Sequence, residues 1–407
     1  MPEQNLPPSA AMPQARCAAC SSTYPELETA LREAVTRAQA GLGGEGGEAG
    51  ATLAVVFVSA AYGEAIRPAL DSLAETVGID GVIATTAEGV LAGGTEHESG
   101  PAVAVWLARL PGAVVEIFAL EYVGNPDGGS FIGWPAELEG GWPEGAGMLL
   151  LADPFSFPVD SFISRMEQDH PGVPIIGGMA SGGRVPGSNT LVAGRHLSDC
   201  GAVGVVVGGS ARLRPVVSQG CRPIGQPMVI TRAEENVIVE LGGRPALERL
   251  REVYGELSEA DRQLVRSSLH VGRVASEYQD RFQRGDFLVR NVVGADPESG
   301  MIAVGDLVRT GQTVQFHVRD ADTAHEDLLH LLTLGPSAAP PAGALVFTCN
   351  GRGTRLFPAA HHDARCLQDA LGPVPTAGFF AQGEIGPIGK RNFLHGFTAS
   401  IALIEGA

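Results

Sequence analysis

The feature that most constrains this fold is a pattern of secondary structure that the chain repeats three times. Each copy predicts an apolar strand, a helix, a second apolar strand, a glycine-rich loop and a third strand. The span from first strand to loop glycine is similar throughout: Val56 to Gly89 (33 residues), Leu150 to Gly182 (32 residues) and Val346 to Gly383 (37 residues). The copies share this pattern but little sequence identity.

The order of elements predicts how the strands pair. A helix between the first two strands of each copy favours a parallel pair with a right-handed crossover. No helix is predicted between the second and third strands, so these are expected to pair antiparallel through the glycine-rich loop. The predicted fold class is therefore α/β, with mixed β-sheets flanked by helices. One alternative stays open, since any α/β protein yields such patterns without a true repeat.

The chain is long enough for two domains. Residues 1–22, rich in Pro, Ala and Gln, are predicted to form a disordered tail. An N-terminal domain with a leading helix is predicted over residues 23–242, and a C-terminal domain over 243–407. After this boundary two helices are expected, the second capped by Ser258 with Asp261.

Charge and composition exclude several classes of protein. The net charge of −18 disfavours binding to nucleic acid and to anionic membrane surfaces. No stretch has the 18 or more apolar residues that span a bilayer, and the N-terminus lacks the apolar region of a secretory signal, so a cytoplasmic location is expected. The pair Cys17 and Cys20 has neither a second CxxC nor a close His pair after it. No metal site or cofactor is therefore predicted.

The third copy contains the strongest candidate for a ligand loop. An apolar strand runs into Cys349, Asn350, Gly351, Arg352 and Gly353. In one interpretation the arginine binds a carboxylate, the asparagine binds a polar group, and the glycines expose backbone amides. In the other, the segment is a tight turn with a solvated arginine.

A second turn of the third copy contains Gly383 and Glu384. Glu384 is a candidate for binding a ligand amine, and together with Arg352 it would suit the zwitterion of an amino acid. It can equally accept backbone hydrogen bonds and hold the turn. Glu88 occupies the matching loop of the first copy and has the same two interpretations.

Three further polar residues interrupt apolar strands. Arg290 and Asn291 lie within one predicted strand, and Arg319 lies at the end of another. Such residues are costly in a strand unless they are paired or face a cavity. They are predicted either to form ion pairs at the rim of a sheet or to line the pocket.

No catalytic residue is predicted. Cys349 with His395 would form a nucleophile–base pair only if the fold brought them together. Cysteine is also often just a buried small apolar side chain. The glycine-rich segment GMASGG lacks the lysine of a phosphate-binding loop.

Several motifs resemble the FIST family, whose name stands for F-box and intracellular signal transduction. They are RNVVGADPESGMIAVGD, GQTVQFHVRDADTAHEDL, FTCNGRGTRLF and GFFAQGEIGP in the C-terminal part, and IATTAEGVLAGG with VSQGCRPIGQPMVIT upstream. The resemblance covers roughly residues 50–405.

The resemblance implies a sensory module that binds a small molecule such as an amino acid and signals through a partner protein of unknown identity. The family brings no established catalytic residues, so a non-catalytic role is expected. Because no F-box, kinase motif or response-regulator stretch is recognisable, we expect a stand-alone form. Two alternatives stay open: an enzyme that uses Cys349 or the Arg352 and Glu384 pocket, and an interaction scaffold without a ligand.

Overall fold

A computed structural model of the protein describes residues 14–43, 50–125, 129–279, 281–334 and 340–406. It confirms the predicted α/β class with mixed sheets flanked by helices. Among these residues no helix is both long and apolar enough to cross a bilayer.

Unit one spans residues 16–109 and contains the first predicted repeat. Its elements are β1 (Arg16–Ser22), α1 (Leu27–Leu42), β2 (Leu53–Ser59), α2 (Ile66–Asp71), α3 (Leu73–Val77), β3 (Val82–Ala87), β4 (Val90–Ala92), β5 (Thr95–His97) and β6 (Val103–Arg109).

Unit two spans residues 113–209 and follows the same order, with an extra strand and no helix before its first repeat strand. Its elements are β7 (Ala113–Val123), β8 (Ser130–Ile132), β9 (Gly147–Ala152), α4 (Val159–Asp169), β10 (Ile175–Met179), β11 (Leu191–Ala193), β12 (His196–Ser198) and β13 (Ala202–Gly209).

Unit three is split by an insertion. It begins with β14 (Ala211–Gln219), after which the insertion adds β15 (Cys221–Glu234), β16 (Val237–Leu241), β17 (Arg244–Pro245), α5 (Ala246–Glu256), α6 (Glu259–Ser268), β18 (Leu269–Val274), β19 (Phe287–Asp296), β20 (Met301–Val304) and β21 (Thr313–Arg319). Helix α7 (Ala321–Thr333) follows the insertion and packs in the core of unit three. Unit three continues with β22 (Gly343–Cys349), α8 (His362–Leu371), β23 (Thr376–Ala381), β24 (Glu384–Ile388), β25 (Arg391–His395) and β26 (Thr398–Gly406).

The three units exchange hairpins. In each unit the first and second repeat strands pair parallel, as predicted. The short hairpin after the second strand leaves its own unit and joins another sheet. Hairpin β4–β5 pairs with β23, hairpin β11–β12 pairs with β3, and hairpin β24–β25 pairs with β10. The exchange is cyclic, so each unit completes the sheet of another.

This exchange corrects one sequence prediction. The second and third repeat strands were expected to pair with each other, but the third strand pairs antiparallel with the first. The reason is that the incoming hairpin occupies the free edge of the second strand. An edge filled in this way no longer exposes unpaired backbone groups.

The tail prediction also needs correction. Residues 1–13 lie outside the described residues, but Arg16–Ser22 forms β1, which pairs antiparallel with β6. Alanine-rich RCAACSS has weak strand propensity, so pairing with β6 and packing on α1 decide its structure. Cys17 and Cys20 stand three positions apart on this strand, and their side chains therefore point to opposite faces.

One apolar core lies between the three sheets. Phe57, Phe347 and Phe379 come from units one and three and contact one another, with ring centroids 5.1–6.3 Å apart. Trp106 is fully buried beside them. Each such aromatic residue contributes about 2 kcal/mol by leaving water, so the shared core makes the units depend on one another.

The insertion forms a separate antiparallel sheet. Its strand β15 pairs with β21 through one half and with β16 through the other, which closes six strands into a barrel. Helices α5 and α6 pack on it, and Ser258 caps α6 through the amide of Asp261 at 3.1 Å, as predicted. The predicted domain boundary near residue 242 stays a prediction, and the strand pairing β14–β26 runs across it.

The hairpin exchange makes a testable prediction at Leu91. This residue belongs to unit one in sequence but is buried in the cluster of unit three with Cys366 and Leu367. Replacing Leu91 with Ala should cost about 2–5 kcal/mol of unfolding free energy in urea denaturation. In hydrogen exchange, β23 and α8 should lose more protection than β2.

Leu307, whose side chain is 67% exposed, provides the control. Its replacement by Ala should change the unfolding free energy by less than about 0.5 kcal/mol. Loss of protection confined to β2 and β3 after the Leu91→Ala change would contradict the exchange.

Candidate functional site

The glycine-rich loops of the three units meet at one place. Ser181 of unit two accepts a hydrogen bond from the amide of Glu88 at 2.9 Å and donates one to the carbonyl of Phe380 in unit three. The amide of Gln382 donates to the carbonyl of Met179 at 3.1 Å. These contacts join the points where the hairpins cross between sheets. They fix the position of the neighbouring loop after β22.

Arg352 in that loop is fully buried and pairs with Asp363 at the start of α8. Its Nε lies 2.7 Å from Oδ2 and its Nη2 lies 2.8 Å from Oδ1 of the carboxylate. Burial alone would raise the pKa of Asp363, but the guanidinium charge holds that pKa well below its usual range. Two of the three nitrogens of Arg352 are therefore already occupied by the protein. Nη1 alone has no hydrogen-bond partner among the described residues.

Arg319, at the end of β21, provides a second guanidinium. Its Nε and Nη2 are buried and lack a hydrogen-bond partner in the described part of the chain. The guanidinium lies over the ring of Phe397, 5.3 Å from the centroid. A Cβ at Gly351 would lie 2.5 Å from Nη1 of Arg319. The glycine therefore makes room for this side chain.

Glu384, at the start of β24, is fully buried. Its Oε2 accepts hydrogen bonds from the amide of Thr398 at 3.0 Å and from the hydroxyl at 2.8 Å. Its Oε1 has no partner within the described residues. Burial raises the pKa of Glu384 to about 8, although the Thr398 hydrogen bonds and the charges of Arg352 and Arg319 act to lower it. The carboxyl group is therefore mostly protonated at pH 7.

Asn350 lies in the same loop as Arg352, and its Oδ1 is also buried without a partner in the described structure. We call Arg319, Asn350, Arg352 and Glu384 the buried polar cluster. Three donor nitrogens come from the arginines, and two oxygens come from Asn350 and Glu384. Leaving a buried polar atom unpaired costs about 1–3 kcal/mol. Such atoms in native proteins are normally satisfied by water or by a ligand.

A cavity of about 470 Å³ is lined by Gln219 and by none of the four cluster residues. The amide Oε1 of Gln219 is buried without a partner among the residues described. The next residue, Gly220, lies against the cluster, since a Cβ there would be 3.3 Å from Nη1 of Arg352. Asp327 and Arg284 also line the cavity. The cavity is therefore separated from the cluster by Gly220, the residue after Gln219.

Cys349 does not have the properties of a nucleophile. Burial raises the pKa of its thiol to about 12, and the Glu384 carboxylate acts in the same direction. The imidazole of His395 bonds to the carbonyl of Gly386 at 2.9 Å, and burial lowers its pKa to about 4. Nucleophilic cysteines need a lowered pKa. The raised pKa of the thiol and the hydrogen bond that engages His395 do not favour the enzyme alternative that uses Cys349.

Two predicted glycines have structural roles. Gly353 has φ of 59°, and a Cβ there would lie 2.6 Å from the carboxyl carbon of Glu98. That carboxylate accepts the amide of Thr354 at 3.0 Å. The carbonyl of Gly383 accepts the amide of Met179 at 2.8 Å, at the point where the hairpin crosses.

The remaining predicted residues have partners or positions of their own. Glu88 forms an ion pair with Arg355 near the surface. Arg290 pairs with Asp306 at 3.3 Å and donates to the carbonyl of Leu394 at 3.0 Å. Asn291 is exposed on β19, opposite His270. Of the predicted set, only Arg319, Asn350, Arg352 and Glu384 present unpaired buried atoms.

Sequence reasoning did not assign a role in the site to Asp363 or Phe397. Asp363 lies 11 residues beyond Arg352, and only the turn into α8 brings the two together. Phe397 adopts a positive φ of 67°, which is unusual for a bulky residue. The glycine before it in HGFT was the only local signal of a tight turn.

Comparison with known families agrees with this architecture. The FIST N domain matches residues 52–244, and the FIST C domain matches residues 246–387. The chain belongs to the FIST family. These matches leave the buried polar cluster itself without an assigned ligand.

Relatives of this FIST protein occur in mycobacteria. The chain is 42% identical to "Uncharacterized protein Rv0628c" of Mycobacterium tuberculosis strain H37Rv over 386 residues, which cover 94% of this chain and 97% of the relative. It is 41% identical to "Uncharacterized protein Mb0898c" of Mycobacterium bovis over 383 residues, covering 94% and 96% of the two chains. The similarity therefore extends over almost the full length of each protein.

The buried ion pair yields a prediction about stability. Replacing Asp363 with Ala leaves Arg352 buried and uncompensated, which should cost about 3–5 kcal/mol in urea unfolding. The double change Arg352→Met with Asp363→Leu should recover much of that loss, because no isolated charge remains. The control is the exposed pair of Arg195 and Glu75 at 3.5 Å, where Glu75→Ala should cost about 1 kcal/mol or less. A loss below 1 kcal/mol for Asp363→Ala would contradict the account.

The raised pKa of Glu384 predicts a pH dependence of stability. Its folded value of about 8 lies above the unfolded value of about 4.3. The folded state therefore binds the proton more tightly, and this contribution to stability is lost as pH rises from about 4 to about 8. The Glu384→Gln variant cannot titrate, so its stability should rise relative to the wild type over this window. The prediction would be contradicted if the curves of unfolding free energy against pH were parallel for the wild type and the Glu384→Gln variant.

Proposed function

We propose that this protein is a sensory protein that binds a small molecule at the buried polar cluster and signals through a partner protein. The observation that carries the proposal is the set of five unpaired buried atoms contributed by the four cluster residues. Family membership supports the sensory role, since FIST domains form a signal-transduction family.

The arrangement of donors and acceptors favours an amino acid as the ligand. A carboxylate accepts hydrogen bonds, and the cluster offers Nη1 of Arg352 with Nε and Nη2 of Arg319. An ammonium group donates hydrogen bonds, and the cluster offers Oδ1 of Asn350 and, once the carboxyl group has ionised, Oε1 of Glu384. The zwitterion would satisfy both kinds of atom at once.

The charges of the site agree with this ligand. Arg352 and Asp363 neutralise each other, which leaves Arg319 as the uncompensated cation of the cluster. When Glu384 ionises against the bound ammonium group, its charge balances Arg319. Binding of a zwitterion at pH 7 should therefore release a proton from Glu384. A simple carboxylate anion would instead balance Arg319 with Glu384 still protonated.

Helix α7 is the element best placed to report binding. Arg319 directly precedes Asp320, whose carboxylate caps α7 by accepting the amides of Asp322 at 3.1 Å and Thr323 at 3.3 Å. Ligand contact with Arg319 thus acts one residue from the start of this helix. The partner that would read the change stays unidentified.

The proposal is tested by thermal shift with the common amino acids and small carboxylates. A ligand at 100 times its Kd should stabilise the protein by about 2.7 kcal/mol. Arg319→Gln should abolish the shift while changing the stability of the empty protein little, because the unpaired guanidinium contributes no hydrogen bond through Nε or Nη2. Exposed Arg251→Gln is the matched control and should keep the full shift. If no compound shifts the melting temperature, or if Arg319→Gln keeps the shift, the proposal fails.

Calorimetry separates the two kinds of ligand. Titration at pH 7 in phosphate and in Tris gives different apparent heats if a proton is released, because the buffers differ in ionisation enthalpy. We expect release of up to one proton with an amino acid, and none in the Glu384→Gln variant. Equal heats in both buffers would exclude the zwitterion and leave a simple carboxylate.

A further inference from the structure

A groove lies on the outer face of unit two, and none of its lining residues belongs to the buried polar cluster. The groove, of about 760 Å³, runs between α4 and the segment 129–142. Five aromatic side chains line it: Tyr122, Phe131, Trp134, Trp142 and Phe162. The whole chain is only 6% aromatic. The groove therefore concentrates a scarce type of side chain.

The groove exists because unit two departs from unit one. In unit one, the 16-residue helix α1 follows the leading strand and packs on β1 and β6. Unit two has only a short 3₁₀ turn, Ala136–Leu138, between β8 and β9. A short irregular segment covers less of the sheet than a helix does. The aromatic side chains line the space that remains.

The rings form a corner of aromatic faces. Trp142 stacks on His170, with centroids 4.3 Å apart and planes at 29°, and Trp134 stacks on Phe162 at 6.0 Å and 17°. The two indoles meet with centroids 6.0 Å apart and planes at 58°. Both are only partly buried, whereas Trp106 is fully buried and donates its Nε1 proton to the carbonyl of Pro375.

The charges of the groove favour a cation. Its only arginine, Arg165, pairs with Asp169 at 2.5 Å. Glu139 is exposed and has no ion-pair partner among the described residues, which leaves a net negative charge at the rim. In the same residues, no arginine or lysine lies over the ring of Trp134 or Trp142. No arginine or lysine of the described chain therefore covers these two indoles.

The groove also differs from the buried polar cluster in its hydrogen bonding. None of the unpaired buried polar atoms in the described structure belongs to a residue that lines it. A metal ion or a primary ammonium group needs several oxygen ligands or acceptors. A quaternary ammonium group has no N–H donor and binds well to aromatic faces, with tryptophan the best of them.

We propose that this groove binds a small organic cation of the quaternary ammonium class. The trimethylammonium group packs in the corner formed by Trp134 and Trp142, and Glu139 supplies the opposing charge. This site is independent of the amino acid proposed for the buried polar cluster.

Choline is the probe, and intrinsic tryptophan fluorescence is the measurement. Trp106 is fully buried in the core and contributes a constant background fluorescence. A saturable change in fluorescence therefore reports on Trp134 and Trp142. The neutral isostere 3,3-dimethyl-1-butanol has the same shape without the charge. It should bind about two- to fivefold more weakly, because one exposed cation–π contact accounts for about that factor. Sodium chloride at matched ionic strength should produce no saturable change.

Two variants test the residues. Trp142→Leu should weaken choline binding at least about tenfold. Glu139→Gln lies on an exposed position, so it should fold normally and weaken binding about two- to fivefold. Tyr278→Ser removes an aromatic ring that is 100% exposed and outside the groove, and it should leave binding unchanged.

Three results would overturn the proposal. They are the absence of saturable binding by choline, equal binding of the neutral isostere, and full affinity in both the Trp142→Leu and Glu139→Gln variants. The Glu139→Gln result decides the matter if Trp142→Leu fails to fold.

Discussion

The cyclic exchange of hairpins is the constraint on which the rest of the structure depends. Each unit builds a parallel pair of strands whose second member has a free edge, and a hairpin from another unit fills that edge. Leu91, for example, belongs to unit one but is buried in the core of unit three. No unit can complete its own sheet, so the three must fold together. The exchange also brings the glycine-rich loops of the three units together. Ser181 can therefore form hydrogen bonds both with the amide of Glu88 and with the carbonyl of Phe380 in β23.

The buried polar cluster is a consequence of this crossing. Strand β22 ends where the barrel formed by the insertion meets unit three, and there the fold buries two guanidinium groups and two carboxyl groups. The ion pair of Arg352 and Asp363 compensates one charge and positions the loop. Arg319 and Glu384 are left with unpaired atoms, at a cost to stability that a fold without a function would be expected to avoid. A ligand that forms hydrogen bonds with these unpaired atoms removes this cost, and the free energy recovered contributes to its affinity.

The sequence predicted the local structure well and the long-range arrangement poorly. Apolar periodicity located the parallel pairs and the helices, and Ser258 identified the cap of α6. Weakly patterned RCAACSS was assigned to a tail because its strand exists only through pairing with β6. The strand with which each hairpin pairs was also unpredictable, because that strand belongs to another unit and is distant in sequence. Within the site, glycine-flanked turns made Arg352 and Glu384 candidates, and the end of an apolar strand made Arg319 one. The primary partner of Arg352 was missed, because Asp363 lies at the start of a helix and looks like an ordinary first-turn acid.

The central claim is that the buried polar cluster holds a small molecule. The most direct measurement is a high-resolution crystal structure of protein purified from untreated lysate, inspected at Arg319, Asn350, Arg352 and Glu384. The account predicts continuous density larger than water, with acceptor atoms at the two guanidinium groups and a donor atom at Oε1 of Glu384. A cluster filled by separate ordered waters, unchanged after soaking with every amino acid and carboxylate tested, would contradict it.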